Sequence, residues 1–181
     1  MTRHYICKES PKHCMEPGFI VYNANHEFAN KIIPYYSNSV QKAAAFGLGK
    51  VTNGGAEVFN VKIIERFNTF SIEKRPFYKN VTRSHWIVMN NGTRVGTLQT
   101  LLHLTHHQLV FHDEQTESVI HFWTEKHSHK TIGVFQDELI LGASIQNRKD
   151  DSEHEIMIHS SFYYDSLLIG IYHLFYMFLH K

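Results

Sequence analysis

The sequence predicts a mainly β domain: a closed antiparallel barrel of about twelve strands around one hydrophobic C-terminal helix. Three observations predict it. Period-2 runs rich in Val, Ile, Thr, Phe, Tyr and Trp recur at a spacing of about 8–12 residues, with turn residues between them. Several of these runs share one hairpin pattern. The last segment, SLLIGIYHLFYMFLHK (166–181), is apolar on every side. A helix of that kind is buried in a protein core or set in a membrane.

Taken in order, strands are expected at 3–8, 18–23, 27–33, 38–45, 56–65, 68–75, 82–89, 94–101, 105–112, 118–125, 130–136, 138–146 and 153–162. The run SNSVQKAAAF also reads as a short helix, because Ala and Gln favour one. FIVYNANHEFANKI (19–32) and WIVMNNGTRVGTL (86–98) repeat one motif: an aromatic, Ile-Val, one residue, Asn, a turn, then a small residue and an aliphatic. LVFHDEQTESVIHFW (109–123) is a looser copy. Asn91-Gly92 is the clearest hairpin turn, since both residues tolerate positive φ. The glycine cluster FGLGKVTNGG (46–55) reads as a loop or a pair of tight turns. The acidic run RKDDSEHE (148–155) lacks calcium-loop spacing and reads as a connection between the last two strands.

The terminal helix is expected over about 165–180, with Asp165 at the N-cap. About fifteen residues at 1.5 Å each give a rod of about 22 Å. That is short of the ~20 apolar residues needed to cross a ~30 Å hydrocarbon core, and it suits the axis of a closed barrel. Deleting it should leave no stable monomer. His173, Tyr172 and Tyr176 each need a polar partner in such an interior.

Composition bounds the function. The 181 residues form one domain, 1–181, with 43% hydrophobic and 19% charged residues, which excludes a disordered chain. The net charge of +1 gives no reason to expect a nucleic-acid partner. Histidine is the outlier with 15 copies. They read as solvated strand faces or as a surface that turns cationic in acid. The two cysteines, Cys7 and Cys14, are too few for a disulfide scaffold. The start MTRHYICKES has no apolar signal core, so a cytoplasmic location with reduced thiols is expected.

Successive hairpins with Trp86-Ile87-Val88 before Asn91-Gly92, and an apolar terminal helix introduced by Asp165, resemble the tubby C-terminal-like superfamily. That group contains tubby domains, plant LURP-one-related proteins, phospholipid scramblases and small bacterial stand-alone members, to which this chain is nearest. The resemblance covers essentially the whole chain. It implies a twelve-stranded barrel closed around a central helix, and a lipid-facing role. The phosphoinositide-binding basic positions of tubby domains find no counterpart here. Neither do the Pro-rich region, cysteine cluster and acidic calcium segment of scramblases. No binding residue therefore carries over.

The candidate ligand-binding residues come from the chain itself. Lys62, Arg66, Lys74, Arg75, Lys79 and Arg83 are interleaved with Phe67, Phe70, Phe77 and Tyr78, a composition suited to anionic lipid head groups. The alternatives are single-stranded nucleic acid, bound by stacking and phosphate contacts, and a solvated strand face with core aromatics behind it. His127 and His129 share a strand face and, with His112, His121 or Asp113 nearby, form a candidate metal set. Their spacing is not diagnostic. Phe46-Gly47-Leu48-Gly49-Lys50 fails as a phosphate loop, because Ala44 and Val51 occupy the required Gly and Ser/Thr positions. No nucleophile elbow is present. The sequence thus points to a non-enzymatic binding or scaffold domain without a cofactor, cytoplasmic or peripheral to a membrane. Its expected partner is anionic phospholipid or a membrane-associated protein. A histidine-dependent metal protein or enzyme and a protein-interaction module are the alternatives.

Overall fold

The computed structural model describes residues 2–9, 18–36, 60–75, 84–103, 105–126, 128–136, 139–146, 153–159 and 164–179. Twelve strands precede one helix. They are β1 (Arg3–Glu9), β2 (Phe19–Asn23), β3 (Phe28–Tyr35), β4 (Asn60–Ile64), β5 (Thr69–Lys74), β6 (His85–Asn90), β7 (Thr93–Leu102), β8 (His106–Asp113), β9 (Val119–Glu125), β10 (Ser128–Gln136), β11 (Leu139–Gln146) and β12 (Glu153–Ile158). The helix α1 spans Asp165–Leu179. Each strand pairs antiparallel with its neighbours in sequence, and β1 closes the barrel on β12, from Arg3↔Ile158 to Lys8↔Glu153. Closure removes every sheet edge.

Alternation decides which side chains line the interior. Phe70 and Ile72 of β5, Trp86 and Val88 of β6, and Ile120 and Phe122 of β9 point inward and are buried. Outward positions carry residues such as Lys62 and Glu155, both exposed. Apolar inside and polar outside is the reverse of a transmembrane barrel. Into this apolar lumen goes α1, buried on all faces from Ser166 to Phe175. The approach is closest at Gly170. A Cβ there would lie 2.1 Å from Ile63 Cδ1, so only glycine lets the helix press this near β4.

Because the topology is a simple meander, the strand ends sort into two sets. At one end lie the turns 24–27, 65–68, 91–92 and 114–118, the end of β10 with the start of β11, and the end of β12 with the start of α1. At the other lie the ends of β1, β3, β5, β7, β9 and β11 and the starts of the even-numbered strands. We call these the turn end and the loop end. The helix enters at the turn end and leaves at the loop end. The Asn91-Gly92 turn has φ of 48° and 82°, as the sequence predicts.

Some expectations change in detail. The predicted strand 38–45 and the glycine cluster 46–55 lie outside the described residues, as does most of the acidic run after Gln146. Strand β3 continues through Pro34 to Tyr35, where the sequence suggested an end at 33. The reason is positional: β2 stops at Phe19↔Ile32, so beyond Ile32 β3 pairs only with β4 and Pro34 needs no donor on its other side. Strand β12 ends at Ile158, short of 162. Asp165 is not a simple N-cap. The Tyr164 carbonyl accepts from Leu167 N and Leu168 N, and the Asp165 carboxylate turns to β1. There Arg3 donates from Nε and Nη2 and Tyr5 donates its hydroxyl at 2.6 Å. Burial, then the Asp165 carboxylate, push the Tyr5 hydroxyl up and keep it a donor. A bidentate pair at a helix N-terminus also suits the helix dipole.

Candidate functional site

The turn end carries an unusual rim. Of the exposed large apolar side chains among the described residues, Phe28, Phe67, Leu139, Ile140 and Tyr164 are all there, and only Tyr36 is at the loop end. Phe28 opens β3, Phe67 sits in the β4–β5 turn, Leu139 and Ile140 open β11, and Tyr164 precedes α1. Phe67 is 83% exposed and packs nothing into the core. The strands behind these tips run consecutively around the barrel, from β10 through β12 and β1 to β5. They form one arc.

Short, internally bonded turns hold the tips outward. In the β2–β3 turn, Asn23 Oδ1 accepts from Asn25 N and Glu27 N, both at 3.0 Å, and His26 adopts a φ of 60°. The β4–β5 turn is closed by Glu65 N donating to the Asn68 carbonyl at 2.9 Å. Tyr164 leans on Phe70, ring centroids 5.3 Å apart, with its outer edge in solvent. The Arg66 guanidinium lies 5.3 Å from the centre of the Phe67 ring. Beside it, the Glu65 carboxyl is pushed up, chiefly by burial. The rest of the rim, over β6–β9, is different in chemistry. It presents Asn91-Gly92 and the acidic turn with Asp113, Glu114 and Glu117, with Glu114 paired to Arg94.

Among the described residues, the basic side chains of this segment do not share one patch. Lys62 projects from the outer face of β4, opposite Ser71. Arg66 is on the turn-end rim. Lys74 is on the inward face at the loop end of β5, its Nζ 5.5 Å from the Trp86 ring centre, and Arg75 follows it. The length of β5, about 20 Å at about 3.3 Å per residue, separates Arg66 from Lys74. Lys79 and Arg83 lie outside the described residues. Antiparallel alternation scatters cations that look adjacent in sequence. The apolar tips have no shared local signature in the sequence because they are one or two residues at each of four separate turns and strand ends. Phe67 flanked by Arg66 and Asn68 between two strands was the available signal.

Of the candidate metal ligands, His112 faces outward and bonds Gln99 at 3.1 Å. His121 bonds Gln108 at 2.7 Å. His127 lies outside the described residues, and of His129 only the backbone, in β10, is described. Among the described residues no group of three His, Cys, Asp or Glu side chains could hold a metal ion. Cys7 is buried in the lumen, and burial pushes its thiol up, which keeps it neutral. Cys14 lies outside the described residues.

The lumen itself is filled. A void between β10, β11, β12 and the helix residues Leu168 and Tyr172 holds about 10 Å³, room for about one water. Comparison with protein-family models, curated proteins and solved structures finds no match.

Proposed function

We propose that this domain is a non-enzymatic binding module that rests its turn-end rim on a membrane surface carrying anionic lipid. One observation carries the reading: five large apolar side chains, all exposed, gathered on neighbouring tips at one end of a closed barrel. Apolar patches of this sort on a folded surface mark interaction sites. Each tip that enters the boundary between head groups and acyl chains gains roughly 1–2 kcal/mol, which makes reversible binding. Arg66, stacked over Phe67, is placed to meet a lipid phosphate as Phe67 goes in. The acidic β8–β9 turn is repelled by the same surface, which tilts the barrel toward the apolar arc.

The attachment is peripheral in this reading. No helix among the described residues is long and apolar enough to cross a membrane. The fold, a barrel closed on a central helix, fits the tubby-like group proposed from the hairpins and the terminal helix, and a lipid-facing role is what that resemblance implies. Flotation with vesicles of phosphatidylcholine alone and with added phosphatidylserine tests it. Binding that rises with the anionic fraction supports the reading. Failure to float with either vesicle contradicts it.

A further inference from the structure

At the loop end, the described residues nearest the helix are buried rings. His173 is 0% exposed, and neither of its ring nitrogens has a hydrogen-bond partner. One face of the ring stacks on Phe19 of β2, centroids 4.1 Å apart and planes at 27°. The fully buried His154 of β12 approaches edge-on at 6.2 Å. His154 is engaged in turn by the Tyr172 hydroxyl at 3.0 Å and by the Tyr176 ring at 4.3 Å. Strand β1 places Cys7 opposite His154, and its thiol stays neutral.

The groups around His173 are therefore another imidazole, two phenols, a thiol one strand further and a phenyl ring. Among the described residues no carboxylate meets it. An imidazolium here would be both desolvated and beside a second base. Burial, followed by the neighbouring His154, holds His173 well below the ordinary histidine range. Beyond it, Tyr176, Met177, Phe178 and Leu179 are only half-buried, and the last turn carries no basic residue.

We propose that His173 is an acid latch on the central helix: the lumen holds the helix's C-terminal half only while this imidazole is neutral, and protonation drives that half toward the loop-end mouth. The sign follows from linkage. The folded state refuses a proton that the released state takes at an ordinary value. The latched state is therefore fully favoured above about pH 6.5 and loses about tenfold per pH unit below it. Release bares Met177, Phe178 and Leu179, apolar surface at the end opposite the rim. The device does not depend on the membrane reading.

Two measurements on the intact chain test it. Imidazole NMR of the folded protein should show His173 neutral across the range in which an ordinary histidine takes up a proton. Amide exchange, corrected for intrinsic rates, should show residues 173–179 opening about tenfold more per pH unit between pH 6 and 5, while β6 and β7 stay protected. His173→Leu and His173→Gln should both abolish that acid response. Ordinary titration of His173 in the folded state overturns the proposal, and so does an equal acid response in the variants. If neither variant folds, the wild-type titration and exchange data decide.

Discussion

The two ends of the barrel hold the same helix by opposite means. At the turn end α1 enters under a charged clamp, Arg3 and Tyr5 on Asp165, with apolar tips standing out around it. At the loop end it leaves among buried rings, His173, His154, Tyr172 and Phe19, with no ion pair on it among the described residues. The difference teaches where each kind of interaction is tolerated. A charge works at the entrance because solvent is near and its partner is bidentate; side-chain exposures there are 32% for Arg3 and 15% for Asp165. Deeper in, a charge would meet no opposite charge among the described residues. Apolar side chains, conversely, are exposed where short turns leave no interior to receive them.

The comparison can be broken by mutation, and the largest effect is expected from the helix itself. Ending the chain before Asp165 empties the lumen of its packing from Leu167 to Phe175. No cooperative unfolding transition should then remain by calorimetry. Asp165→Ala should come next. It leaves the Arg3 guanidinium and Tyr5 hydroxyl half-buried without their acceptor, and urea denaturation should show a loss of about 1–3 kcal/mol. Gly170→Ala forces a methyl against Ile63, and should cost about 1–3 kcal/mol because Ile63 must leave its rotamer. A second substitution, Ile63→Val, should recover part of that loss. Phe67→Ser is the smallest in stability, within about 0.5 kcal/mol, because the side chain is exposed and outside the core. A clear loss of stability there would mean that the rim serves the fold.

Much of the architecture was legible in the sequence because its periodicities are strong. The hairpin at Asn91-Gly92 and the uniformly apolar run after Asp165 each admit few alternatives. Strand limits were less legible where neighbours decide them. Pro34 can sit in a strand only because β2 has already ended beside β3. The placement of the candidate site residues is hard to read from sequence for a related reason. Lys62 and Lys74 are close in sequence, yet the pleat puts one outside the barrel and the other at its mouth. Among the described basic residues of that segment, only Arg66 is on the rim. Phe28 lies near it through β3–β4 pairing, whereas Leu139, Ile140 and Tyr164 are brought to it by closure of β1 on β12, a long-range event with no local signature. The isolation of His173 was likewise invisible, since the sequence shows a histidine in the helix but not which rings surround it.

The central claim is that the turn end is the working face. Vesicle partitioning of Phe67→Ser against Tyr36→Ser tests it most directly, since these change one exposed aromatic at each end. With vesicles containing phosphatidylserine, the account predicts that Phe67→Ser weakens binding about fivefold or more while Tyr36→Ser binds as the wild type does. Loss in the Tyr36 variant with Phe67→Ser unaffected, or no loss in either, would contradict it.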